Sequence, residues 1–138
     1  MYLLDTNVIS ELRKGNKAHP VVIDWIKRCS IHHQFVSAIS LMELEIGILA
    51  MQRRDQIQGR QLRAWFEEKV LPAFEARVLP VDTSVALRCA KLHSPNPRSE
   101  RDALIAATAA VHGMTVATRN EKDFALPGID VVNPWRTP

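Results

Sequence analysis

Two cysteines in 138 residues, Cys29 and Cys89, leave no basis for a disulfide framework, and neither belongs to a C-x-x-C pair or a Cys/His cluster with zinc spacing. Both read as buried thiols. Five glycines and eight prolines are too few for a fibrous or disordered chain. No apolar run reaches the roughly 20 residues a bilayer-spanning helix needs. The start of the chain shows neither the basic n-region nor the apolar h-region of an export signal. A cytoplasmic location without membrane attachment is the expectation. Ser10, Ser37 and Ser40 lack a G-x-S-x-G elbow, which argues against covalent acyl chemistry. His19, His32, His33, His93 and His112 are spread through predicted loops and helix ends, with none beside a carboxylate motif, which argues against a paired-histidine acid–base mechanism.

What the chain does have is an ordinary soluble-protein composition, 46% hydrophobic and 24% charged, which is enough for a core without staples. A domain of this length buries roughly 68–70% of its unfolded surface, so residues 1–138 are read as one domain. The net charge of +3 argues only mildly for an anionic partner. Arg53, Arg54, Arg60, Arg63 and Lys69 gather mid-chain, where a solvated helix face explains them as well as a nucleic-acid track does.

Apolar spacing and punctuation residues predict alternating strands and helices. Tyr2 to Leu4 reads as a short buried strand, followed by the turn and cap residues Asp5-Thr6-Asn7 and a helix through Val8, Ile9 and Leu12 that Gly15 closes. Pro20 opens a helix ending near Cys29, and Phe35 to Ser37 forms the second strand. Ser40 to Glu43 matches an S-x-x-E capping box, with Glu43 in the first turn of its helix. A further helix fills Gln56 to Val70 until Pro72 ends it. Val78 to Val81 gives a third strand, Asp82 starts a helix over Thr83 to His93, and the two prolines of 94–98 mark a loop. Ser99 to Asp102 repeats the capping-box pattern before an alanine-rich helix that stops at Gly113. Thr115 to Thr118 and Ile129 to Val132 complete the strands. Such alternation implies right-handed β-α-β units, a mostly parallel sheet and helices on both faces.

Open sheets of this kind bind ligands at the carboxyl ends of their strands, where Asp5 and Asp123 fall. Glu43 and Asp102 start helices that follow segments returning to the same edge. Each acid also has a structural explanation: Asp5 as an N-cap, Glu43 and Asp102 as capping-box partners of Ser40 and Ser99, Asp123 as a loop acid. Taken together, four acids at one edge favour a site, because clustered carboxylates are costly unless a cation neutralises them. Glu45, about 200° around the helix from Glu43, is read as exposed or structural. Trp25, Trp65 and Phe66 are candidates for a partner surface or for the core.

The motifs carry a resemblance. Leu3-Leu4-Asp5-Thr6-Asn7-Val8-Ile9-Ser10-Glu11-Leu12, Ser40-Leu41-Met42-Glu43-Leu44-Glu45-Ile46-Gly47, Asp102-Ala103-Leu104-Ile105-Ala106-Ala107-Thr108-Ala109 and His112-Gly113-Met114-Thr115-Val116-Ala117-Thr118-Arg119-Asn120 through Asp123-Phe124 occur in that order. The chain resembles the PIN-domain family over essentially its whole length, and within it the VapC-type toxins of the FitB-like branch, whose tail is similar to Val131-Val132-Asn133-Pro134-Trp135. The resemblance implies an α/β three-layer sandwich forming a single nuclease domain. It implies Asp5, Glu43, Asp102 and Asp123 as the catalytic, metal-binding set for Mg²⁺ or Mn²⁺, with Asn7 and the Thr118 hydroxyl in support. The implied activity is an endoribonuclease that cleaves RNA phosphodiester bonds by metal-activated water. The implied partners are a cognate antitoxin, a second copy in a homodimer, and larger toxin–antitoxin assemblies on DNA through the antitoxin.

Two other classes compete. A phosphotransfer enzyme would also place an aspartate such as Asp5 after the first strand, but Asp5-Thr6-Asn7 lacks a second acid two residues on. A nucleic-acid-binding module without turnover would keep the basic helices and have no use for four converging acids.

Overall fold

The computed structural model describes residues 1–136. Its centre is β1 (Tyr2–Leu4), flanked by β2 (Gln34–Ser37) and β4 (Thr115–Ala117), with β3 (Val78–Leu79) and β5 (Val131–Val132) outside them, in the order β3-β2-β1-β4-β5. Every pairing is parallel, with Leu3 opposite Phe35 on one side and Val116 on the other. Parallel neighbours require crossovers, and helices supply them.

Side chains of a strand alternate between faces, so β1 sends Leu3 one way and Leu4 the other. Leu3 and Val116 join Val85, Cys89 and Leu92 of α6 (Thr83–Leu92) and the alanines and Ile105 of α7 (Glu100–His112). Leu4 and Ala117 join Val8 and Ile9 of α1 (Thr6–Leu12) and Leu44 and Ile48 of α3 (Ala38–Arg54). Fully burying one such Leu or Ile contributes about 1.5–3 kcal/mol, and two such layers make the three-layer α/β sandwich.

Local chemistry fixes the helix ends. The Ser37 hydroxyl accepts from the Ile39 amide at 3.0 Å and starts α3, while Asp55 Oδ1 accepts from Ile57 and Gln58 at 3.1 Å each and starts α4 (Gln56–Trp65). Pro20 is the first residue of α2 (Pro20–Arg28), and Asp82 caps α6 through Val85. Gly113, at φ +65°, ends α7 in the left-handed conformation that glycine adopts without penalty.

Several expected boundaries move. The helix carrying Glu43 starts at Ala38, two residues before the S-x-x-E pattern, so Ser40 is not its cap; its hydroxyl is buried with no hydrogen-bond partner. Ser37 wins because its side chain reaches an amide from an extended backbone, as an N-cap must. The Ser99 side chain makes no cap bond either, although α7 does begin after it. Pro72 does not end its helix: a wide π-type turn over Phe66–Val70 leads without a break into α5 (Leu71–Ala73), of which Pro72 is the second residue. Gly15, at φ +55°, opens a separate 3₁₀ turn rather than closing α1.

Of the aromatic residues offered as a partner surface, Phe66 is buried, and Trp25 and Trp65 are half-buried against the core, Trp25 edge-on to Tyr2 at 5.0 Å. Arg63, from the basic stretch, turns back to grip Glu45 with two bonds of 2.6 Å. Glu45 is thus a strut between α3 and α4, as its position opposite Glu43 suggested.

Candidate functional site

β1 and β4 end side by side, and the first residue beyond each belongs to the site. The Asp5 amide donates to Ala117 O at 2.9 Å, which continues the ladder one step past β1. Asp5 is also the N-cap of α1: its Oδ1 accepts from the Thr6 amide at 2.8 Å. The capping and site readings of Asp5 are therefore compatible, since Oδ2 remains for other partners. It accepts from the Thr118 hydroxyl at 2.7 Å and from Asn7 Nδ2 at 3.3 Å. Asn7 Oδ1 in turn accepts from the Arg119 amide at 3.3 Å, tying α1 to the segment after β4.

Glu43 lies in the second turn of α3, beyond the reach of any cap role. The Thr6 hydroxyl donates to its Oε1 at 2.7 Å, and Arg101 of α7 approaches Oε2 at 3.8 Å. Asp102, in the first turn of α7, shares with Asp5 and Glu43 a groove of about 430 Å³. Asp123 is exposed on the 3₁₀ turn Glu121–Phe124 and does not line that groove. Its charge nevertheless reaches both aspartates.

The electrostatics show what the cluster costs. Burial lifts the Asp5 carboxyl above its ordinary 3.8, and the charges of Glu43 and Asp123 add to the lift, against the pull of the Thr118 and Thr6 bonds. Burial likewise raises Asp102, followed by Asp5, Asp123 and Glu43, with the Ser99 hydroxyl opposing. Negative charge here is under-compensated by the protein's own cations, the condition a bound divalent ion relieves.

Sequence reasoning passed over Thr6, Arg101 and Glu11. Thr6 lies inside the Asp5-Thr6-Asn7 motif, and its position beside an acid was the available signal. Nothing in the sequence pairs Arg101 with Glu43, because only the docking of α7 on α3 brings them together. Glu11, buried in the groove wall, accepts from Lys14 Nζ at 3.0 Å and from the His19 amide at 2.9 Å, which holds its carboxyl below the ordinary range.

Two other features do not compete for the chemistry. An apolar cavity of about 360 Å³ lined by Ile9, Leu12, Trp65 and Val70 has Lys69 as its one charged wall residue. At the α6–α7 junction, Cys89, His93 and Glu100 bring their ligand atoms within 4.8 Å of one another. His93 Nδ1 accepts the Arg98 amide at 3.0 Å, so the neutral ring carries its proton on Nε2, 3.3 Å from Glu100. Nε2 makes no hydrogen bond there, and with Nδ1 accepting an amide it is the nitrogen that carries the proton, where a metal ligand needs a lone pair.

The PIN domain model matches residues 2–128. The chain belongs to the PIN-domain family. Among relatives, it is 41% identical over 143 residues to the VapC ribonuclease Y4jK of Sinorhizobium fredii, with 98% of each chain covered. It is 35% identical over 143 residues to the toxin FitB of Neisseria gonorrhoeae, covering 98% of this chain and 99% of the relative. In three dimensions this PIN domain superposes on a chain of FitAB bound to the IR36 DNA fragment with a TM-score of 0.90 and 34% identity, covering 100% of this chain and 98% of that one. Among the described residues, no helix is long and apolar enough to cross a membrane.

Proposed function

We propose that this PIN domain is a divalent-metal-dependent endoribonuclease, the toxin of a VapBC-type toxin–antitoxin pair acting in the cytoplasm. The observation that carries the reading is the convergence of Asp5, Glu43 and Asp102 on one groove at the carboxyl ends of the central strands, within the electrostatic reach of Asp123. The names of the relatives, a VapC ribonuclease and the toxin FitB, support the same class.

The donor set fits a hard cation. All four groups are carboxylates, the preference of Mg²⁺ and Mn²⁺, and the raised Asp5 and Asp102 mark charge in need of neutralising. Among the described residues the four acids do not form a group of three with oxygens all within 4.8 Å. When bound, the cation supplies charge stabilisation on the phosphoryl oxygens and lowers the pKa of the attacking water.

The chain's own residues prepare the site. Thr118 and Asn7 fix Asp5 Oδ2, the Thr6 amide occupies Oδ1, and the Thr6 hydroxyl fixes one oxygen of Glu43. Each bond orders a carboxylate before substrate arrives, which reduces the reorganisation needed at the phosphate. Asp102 completes the wall from the opposite helix. A cognate antitoxin and a second copy of the chain are the partners proposed with this activity, and the antitoxin is the proposed link to DNA.

The decisive experiment incubates the purified protein with single-stranded RNA in Mn²⁺, then in excess EDTA. Cleavage should need the metal and leave 5′-phosphate ends. Full cleavage in EDTA would end the metal reading.

A further inference from the structure

The groove that holds the acids has a second wall of different chemistry. Trp135 lines it, half-buried and packed against the core cluster that includes Leu4 and Val8. Its position is fixed: the Trp135 amide donates to Asn133 Oδ1 at 2.9 Å, and Asn133 Nδ2 donates to Glu121 Oε2 at 3.0 Å. The tail is therefore tied to the same turn that carries Asp123.

Over the ring lies Arg119, its guanidinium carbon 5.3 Å from the centroid. Arg119 is exposed, and its own amide is held by Asn7, the residue that also contacts Asp5. A half-buried indole thus lies beneath an exposed guanidinium. The contact is a cation–π pair, which holds the exposed guanidinium over the indole. Arg13 lines the same groove and adds positive charge beside the acids, while Lys14 there is paired with Glu11.

Unpaired RNA is recognised by stacking its bases on aromatic rings or guanidinium planes, with cations following the phosphates. An indole with a guanidinium over it, a flanking cation and an acidic cluster occur here in one groove. We propose that the Trp135–Arg119 stack is a nucleobase subsite: an unpaired base of single-stranded RNA lies on the Arg119 plane, next to the phosphate addressed by the acids. The proposal rests on the ribonuclease reading. It makes the enzyme selective for single strands, because a base held within a duplex cannot reach the platform.

The test measures binding of a fluorescent single-stranded 12-nucleotide RNA of mixed sequence, and of an abasic oligomer of equal length, in EDTA so that nothing turns over. Arg119→Lys keeps the charge and removes the plane; Trp135→Leu keeps the apolar plug and removes the ring. Stacking is worth about 1–3 kcal/mol per base, so each variant should lose roughly 5- to 150-fold in affinity for the RNA. Binding of the abasic oligomer should stay unchanged, and Trp135→Phe should retain most of the wild-type preference. If Trp135→Leu fails to fold, the exposed Arg119→Lys carries the result alone. A wild type that binds both oligomers equally, or an Arg119→Lys variant with wild-type preference, overturns the subsite. Failure of the ribonuclease reading is recognised separately, as absence of Mn²⁺-dependent cleavage by the wild type.

Discussion

Thr6 and Glu43, 37 positions apart, meet through a 2.7 Å bond from the threonine hydroxyl to Oε1. That contact singles out Glu43 from Glu45, which lies two residues on and is held by Arg63 instead.

The two glutamates therefore answer differently to the same change. Glu43→Gln should cut RNA cleavage by about a hundredfold or more, since losing a few kcal/mol of charge stabilisation costs tenfold per 1.36 kcal/mol. Glu45→Gln should leave the cleavage rate within about twofold and lower stability by at most about 1 kcal/mol, as befits a partly exposed pair. Single-turnover rates and denaturant midpoints separate them. Equal losses of activity would place the site on the wrong face of α3.

Asp5→Asn should abolish cleavage without loss of fold, and it should change how metal-free stability depends on pH. The Asp5 pKa is raised in the folded state, so the native protein holds its proton more tightly than the unfolded chain. Wild-type stability then falls as pH rises above 3.8 through the folded value, while the asparagine variant is spared that fall. The melting-temperature gap, variant minus wild type, should widen over this window and shrink in Mn²⁺, which binds only the folded wild-type site. A gap that does not vary with pH would contradict the burial of this charge.

Glu11 has the opposite sign. Its carboxyl is held below the ordinary 4.5 by the His19 amide and Lys14, so its contribution exists at neutral pH and disappears as pH falls through the folded value. Glu11→Gln should cost about 1–3 kcal/mol at pH 7, the range for a hydrogen-bonded charge. The deficit should vanish in acid, where the wild-type side chain is itself neutral. Urea titrations at neutral and acidic pH measure it.

Gly59→Ala tests the α3–α4 contact. A Cβ there would sit 2.5 Å from the Gln52 Cα, a backbone atom that cannot swing away. The helix-propensity gain of about 1 kcal/mol is outweighed by overpacking of about 1–3 kcal/mol or more. Thermal denaturation should show a lower midpoint; a higher one would mean the helices separate freely.

Most of the element order was legible because strands this buried and helices this amphipathic repeat at different periods. Asp5, followed at once by a helix after a three-residue strand, was the clearest case. Boundaries failed where two residues competed for one role: Ser37 and Ser40 both look like caps, and only the strand leading into Ser37 gives the extended backbone that a cap requires. Pro72 misled because a π-type turn shifts the hydrogen-bonding frame before it. At the site, the acids stood out by their places beside turn and cap residues. Thr6, Arg101 and the Arg119–Trp135 stack did not, since each is defined by a neighbour far away in the chain.

The placement of β1 between β2 and β4 has a consequence for synthesis. A ribosome that has released the first hundred residues has already made Asp5 and Glu43. Thr118, Asp123 and the strand that closes the second side of β1 do not yet exist. Until β4 and Thr118 have been made, β1 keeps one bare edge and the groove lacks a wall, so a chain stopped before them at residue 100 carries half of the acids and none of the assembled pocket.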